Sequence, residues 1–199
     1  MLRTHRLPGQ TLIELLIASA VIVTGLFAAS SLVFSNLQLS DRDADEVVAV
    51  NLAREGVELA KQVRDSNWLG GLSFDQGLRT GTDYSATPRW NGSAAVQSVV
   101  FDFTANDINA TQAIVRRSTD LATPDFYTQS DPTAPVTPWR RLVIFHPICD
   151  TAGGLTYLND GLDCGADPTV GIRVESRIEW LRKGRTSVRT IYEDLFDWR

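Results

Sequence analysis

The chain has 199 residues, 19 of them basic and 24 acidic, for a formal net charge of −5. That length fits one domain of ordinary size plus a long helix, and so modest a charge supports no role in binding nucleic acid or acidic substrates. A structural zinc site is excluded as well: the chain has two cysteines and two histidines, His5 lies at the N-terminus, and His146 alone cannot complete a two-cysteine, two-histidine set.

The N-terminus opens with Arg3 and Arg6, then Pro8-Gly9, then Gln10 to Glu14, and then 26 uncharged residues from Leu15 to Ser40. About 20 residues at 1.5 Å rise span the hydrocarbon core of a bilayer, so this run is long enough to cross as a helix. It differs from a secretory signal, in which a small-residue cleavage site follows the apolar stretch. Here no A-x-A-like site closes the run. The recognisable cleavage point is Gly9, ahead of the helix, and a protein cut there keeps its membrane segment. Glu14 stands at the edge of the run, where a carboxylate is costly; on insertion scales an acidic residue at the helix centre costs about 2.5–3.5 kcal/mol, and such groups mark a function with a partner. A free α-amino group created at Gln10 is such a partner.

The segment Arg6–Glu14, R-L-P-G-Q-T-L-I-E, followed by an apolar helix, resembles the type IV pilin superfamily, whose prepilins carry a short basic leader, a Gly before the cut and a Phe-Thr-Leu-Ile-Glu-like start. One position departs from that pattern: Gln10 stands where most of the family has Phe. The resemblance implies cleavage between Gly9 and Gln10 by a prepilin peptidase, methylation of the new N-terminus at Gln10, and a pairing of Glu14 with the amine of a neighbouring subunit in a filament. The implied partners are the peptidase, other major and minor pilins and an inner-membrane assembly platform, with no cofactor. Gly25-Leu26 within L-I-E-L-L-I-A-S-A-V-I-V-T-G-L, and the segment A-R-E-G-V-E-L-A-K-Q-V-R-D-S-N-W-L, are similar to PilV-type minor pilins. A minor pseudopilin of a type II secretion system or a competence pilus carries the same N-terminal signal, and a signal-anchored extracytoplasmic binding module or enzyme is the remaining alternative.

Arg3 and Arg6 lie before the apolar run, and Asp41, Asp43, Asp45 and Glu46 lie beyond it. By the positive-inside rule the N-terminus is cytoplasmic and everything after Ser40 is outside. Cys149 and Cys164, with 14 residues between them, then stand in an oxidising compartment and read as a disulfide, worth roughly 3 kcal/mol for a loop of ~15 residues.

From Asp41 to Trp68 the sequence has no proline, and its apolar residues recur at helical spacing, with Val50, Ala53, Val57 and Ala60 in one row and Val48, Leu52, Leu59 and Val63 in another. This predicts an amphipathic continuation of the apolar helix, ended by Gly70-Gly71. Gly25 and Gly56 weaken the helix relative to Ala, either as tolerated positions or as sites of bending or close packing. Beyond residue 70, Val96–Phe103 and Ala113–Arg117 read as strands, and Thr119–Pro138, with four prolines, as loop. Leu142–Phe145 fits a strand. Ile172, Val174, Ser176, Ile178 and Trp180 alternate with Arg173, Glu175, Arg177 and Glu179, which is the period of a half-buried strand. A turn over Leu181–Arg185 and a second alternating run, Thr186–Tyr192, complete a hairpin. The expected architecture is α+β, with a leader over 1–9, a membrane or filament-core helix over 10–40, an amphipathic extension over 41–69 packed on an antiparallel sheet, and a β-rich extracytoplasmic domain over 70–199.

Catalytic motifs are missing: the chain has no Gly-rich phosphate loop, no G-x-S-x-G and no H-E-x-x-H. His146, in V-I-F-H-P-I, reads as a satisfied strand histidine, and the acidic pairs Asp102/Asp107 and Glu175/Glu179 as solvated faces, so no enzyme is expected. No metal site is expected either, although Asp150, Asn159, Asp160, Asp163 and Asp167 in the cysteine-bounded loop are calcium candidates by ligand chemistry alone. Arg182, Lys183, Arg185 and Arg189 place basic charge at the hairpin tip, which a solvated turn explains without a nucleic-acid ligand.

Overall fold

The computed structural model describes residues 12–79, 84–93, 96–119, 126–158 and 162–197. The chain divides into two compact units, Met1–Glu46 and Val47–Arg199, so the second half of the helix belongs with the sheet. Helix α1, Leu12–Leu69, runs unbroken for 58 residues.

From Leu12 to Ser40, within the first unit, the helix carries apolar residues on every side, and each of these residues is exposed, Leu12 by 76% and Phe27 by 73%. A helix apolar all round is stable only inside a protein core or among lipid and other helices. This is the one helix among the described residues that is long and apolar enough to cross a membrane.

In the second unit α1 turns amphipathic, as its spacing predicts. Its buried face is Ala49, Leu52, Ala53, Gly56, Val57, Leu59, Ala60 and Asn67. Val48, Val50 and Val63 are only half-buried, because the face is centred on the small residues Ala49, Ala53, Gly56 and Ala60 and not on the valines. Close approach is the reason. A Cβ at Gly56 would collide with Ser176 Oγ and come within 3.2 Å of Val143 Cγ2, so the helix lies directly on two strands of the sheet at that point. The helix ends in a Schellman motif: Gly71 at φ 70° donates to Trp68 O at 3.2 Å, and Leu72 N donates to Asn67 O at 2.9 Å.

The sheet is built on one long central strand, β5 (Val136–Thr151). Along one edge β5 pairs antiparallel with β1 (Ser85–Ser93), β3 (Ile114–Arg117) and β6 (Gly154–Tyr157); along the other it pairs with β7 (Thr169–Arg182), which pairs with β8 (Arg185–Phe196). The strand β2 (Val96–Asp102) extends β1, and β4 (Tyr127–Thr128) extends β3. One face of β5 and β7 meets the helix through Val143, Phe145, Ile172 and Val174 around Val57 and Ala60, and through Ile178 and Trp180 around Ala49, Leu52 and Ala53. The other face of β5 is covered by Ala105, Ile108 and Ala113, which pack on Leu142 and Ile144. Burial on both faces explains the continuous run of buried residues from Arg141 to Phe145.

Three expectations are corrected. The strand expected over Leu142–Phe145 is four times as long, and it starts inside the proline-rich segment taken for loop. Pro138 fits there because the β3–β5 register shifts between Ile114 and Arg116, which leaves a bulge where no ladder donor is required. The short strand β4 also falls in that segment. The cysteine-bounded stretch is not wholly loop: β6 folds back on β5 with Thr151 opposite Gly154. All four β6 residues are exposed, so no burial pattern marked them. The terminal hairpin forms as expected but is longer at both ends, and its turn narrows to Lys183-Gly184, both at positive φ, 48° and 76°.

Candidate functional site

The residues expected to carry function fall into two groups, the N-terminal segment and the cysteine-bounded region. Gly9 and Gln10, the expected cleavage point, lie outside the described residues. Glu14 occupies the first turn of α1 and is exposed. A carboxylate there faces the partly positive helix N-terminus, which favours it over any position further along. From Leu15 to Leu39 the exposed surface is mostly apolar, and the Ser19 and Thr24 hydroxyls turn back onto the helix: Ser19 Oγ donates to Leu16 O at 2.9 Å and Thr24 Oγ1 to Val21 O at 2.9 Å. Those two hydroxyls are thereby satisfied without water, and the segment presents a mainly apolar exterior, with Ser30, Ser31, Ser35, Asn36 and Gln38 towards its far end and one charged group near its start.

Cys149 and Cys164 are joined in a disulfide. Cys149 is buried on β5, and the bond ties the chain returning to β7 onto the end of that strand. The β6 hairpin inside the loop is held from outside as well. Arg173 on β7 donates to both oxygens of Asp194 on β8, at 2.7 and 3.0 Å, and its guanidinium lies 4.0 Å from the centroid of the Tyr157 ring. Tyr157 Oη also donates to Asp194 at 3.2 Å. The hydrogen bond from Arg173, with its charge, lowers the Asp194 pKa against a smaller opposing effect of burial.

The calcium candidates do not converge among the described residues. Asp150 is exposed at the end of β5, Asp163 Oδ1 accepts from Cys164 N at 2.7 Å and lies 3.5 Å from Arg79 Nη2, and Asn159 and Asp160 lie outside the described residues. No group of three or more His, Cys, Asp or Glu among the described residues is arranged to hold a metal ion. The four carboxylates considered as catalytic pairs are each engaged elsewhere. Asp102 accepts from Arg89 at 2.6 Å and from Thr104 N at 3.0 Å; Asp107 accepts from Asn109 N at 2.9 Å; Glu175 faces His146 at 3.1 Å and Glu179 faces Arg177 at 3.5 Å. Burial raises the Asp102 pKa, but the Thr104 and Arg89 bonds outweigh it and the net direction is down, opposite to what a general acid needs.

One polar cluster escaped sequence reasoning. Arg141, on β5, donates from Nη1 to Glu55 Oε2 at 2.8 Å and to Leu52 O at 3.3 Å, and from Nε to Gln129 Oε1 at 2.8 Å. Gln129 Nε2 in turn lies within 3.0–3.1 Å of the Gln112, Ala113 and Arg141 carbonyls. A signal for the arginine was present: strand alternation turns one of Arg140 and Arg141 towards the helix. Nothing local marks Gln129. Comparison with protein-family models, curated proteins and solved structures yields no match for this chain.

Proposed function

We propose that this chain is a minor, PilV-like subunit of a type IV pilus filament. It is inserted with its N-terminus in the cytoplasm, cut after Gly9 by a prepilin peptidase and methylated at Gln10. An inner-membrane assembly platform then draws it into a filament with other major and minor pilins. Its role is to prime or decorate the filament, and the sheet domain is the part presented outside.

The observation that carries this reading is the conjunction of Gly9 and Glu14 with an apolar helix that its own chain leaves uncovered. Exposed apolar surface costs about 25 cal/mol per Å² in water, so residues 12–40 require lipid before assembly and neighbouring helices after it. In either setting the Glu14 carboxylate needs a cation, and the α-amine freed at Gln10 of an adjacent subunit supplies one. A disulfide in the sheet domain suits an oxidising extracytoplasmic compartment.

Intact mass of the protein recovered from cells containing the peptidase tests this directly: the mature chain should start at Gln10 and carry a methyl group. Retention of Met1–Gly9 would remove the main support. In Glu14→Ala, insertion and cleavage should stay nearly normal while the amount recovered in sheared filaments falls. Equal recovery of variant and wild type would count against the charge pairing.

A further inference from the structure

The second unit also contains a cavity of about 210 Å³, bordered by Arg89 of β1, Ile114 and Arg116 of β3, Thr111, Gln112 and Pro132. Gln129 also lines it, and its side chain is held in place by the bond from Arg141 Nε to its oxygen and by three backbone carbonyls around its amide nitrogen. Ligand pockets for drug-sized molecules run to about 300–1,000 Å³, and this smaller volume suits a single sugar ring.

The two arginines decide the chemistry. Each gives one N–H group to the protein: Arg89 Nη1 to Asp102 at 2.6 Å, and Arg116 Nη1 to Ala134 O at 2.8 Å. A guanidinium has five N–H donors in a planar fork, and no other hydrogen bond uses those of Arg89 and Arg116 among the described residues. Asp102 is itself held by Thr104 N, and Asp131, which acts on Arg116 through space, is held by Thr133 at 2.8 and 2.6 Å. These carboxylates balance the charge of the arginines. What the cavity offers is therefore two guanidinium groups in its lining, each anchored through one N–H. A planar fork is matched by a carboxylate or a phosphate, either of which takes two parallel N–H donors, but inorganic phosphate has no ring to set against Ile114 and Pro132. Ile114 and Pro132 add an apolar wall for the face of a ring, and Thr111 and Gln112 add side chains able to meet hydroxyl groups.

We propose that this cavity binds the carboxylate of an acidic sugar, a uronate, with the Arg89 and Arg116 guanidinium groups on the carboxylate and the ring against Ile114 and Pro132. The site is independent of the filament reading.

The test is titration of the full chain in detergent micelles with D-glucuronate, D-glucose and inorganic phosphate, followed by calorimetry and by amide chemical shifts in residues 111–116. Glucuronate should bind saturably, glucose at least ten-fold more weakly, and phosphate more weakly than glucuronate. Arg116→Gln should weaken glucuronate binding at least ten-fold with the melting temperature unchanged. Arg89→Lys, which keeps a cation beside Asp102 but removes the fork, should weaken it too, so a folding defect in one variant leaves the other to decide. No saturable glucuronate binding, equal affinity for glucose, equal affinity for phosphate, or wild-type affinity in both variants would each overturn the proposal.

Discussion

Arg141 and Glu55, 86 residues apart in sequence, meet at 2.8 Å beneath the helix, with the arginine side chain only 2% exposed. The helix is therefore docked on the sheet by a charge pair as well as by apolar packing. Glu55 stays 30% exposed, so water shares the cost of its charge, whereas Arg141 depends on Glu55, Leu52 O and Gln129 for its solvation. Removing one partner of a buried pair strands the other, which typically costs about 3–5 kcal/mol, whereas replacing both by apolar groups is far milder.

Arg141→Ala should accordingly destabilise the sheet unit by about 3 kcal/mol, and Glu55→Gln by less, since the amide still accepts a hydrogen bond. The double replacement Glu55→Met/Arg141→Met should be less damaging than Arg141→Ala. Urea unfolding of a fragment starting near Asp41, itself expected to unfold in a single cooperative transition, measures all of these. If the effects of Glu55→Met and Arg141→Met, each measured singly, add up to that of the double variant, the pair is not coupled.

Gly56→Ala tests the close approach of helix and sheet. On propensity alone it would add about 1 kcal/mol, but the new Cβ meets Ser176 Oγ, and overpacking costs about 1–3 kcal/mol. A net loss of stability is expected, and Ser176→Ala in the same chain should recover part of it by removing the clashing oxygen. A stabilised Gly56→Ala would mean that the helix sits further from the sheet.

The Arg173–Asp194 pair gives the acid limb of stability a definite sign. The folded-state pKa of Asp194 is lowered, mainly by the hydrogen bond from Arg173, and Arg173 is raised by the same bond. A depressed carboxylate stabilises fully above its unfolded pKa, about 3.9, and loses that contribution as pH falls through the folded value. Asp194→Asn should therefore be less stable than wild type near neutrality, with the gap closing as the pH is lowered below 4. A gap that stays constant with pH would sever the link between this carboxylate and acid unfolding.

Reduction of the Cys149–Cys164 bond should act locally first. The β6 hairpin is exposed throughout, and besides its ladder to β5 it is held by Tyr157 on Arg173 and Asp194, so amides from Asp150 to Tyr157 should lose exchange protection before those of β7 and β8. Removal of the cross-link should cost the unit roughly 3 kcal/mol for a loop of this size. Uniform loosening of the whole sheet on reduction would assign the bond to the core instead.

Local pattern alone determined a good deal of this protein. The long apolar helix, its amphipathic second half, its glycine stop and the terminal hairpin follow from spacing that each segment carries within itself, because a 3.6-residue or two-residue period declares which face will be covered. The disulfide was legible for a different reason: the chain has two cysteines, and the basic N-terminus ahead of the apolar run predicts an oxidising compartment for both. Tertiary structure alone decided which covering surface each face would meet. It set small Gly56 against Ser176, turned Arg141 rather than Arg140 towards Glu55, brought Gln129 to the same guanidinium, and gathered Arg89 and Arg116 around one cavity. It also made strands of β6, which has no buried side chain to mark it, and of the proline-bearing start of β5, which a bulge accommodates. Each of these depends on partners distant in the chain, and a sequence read segment by segment holds no information about which distant surface will supply the contact or at what distance.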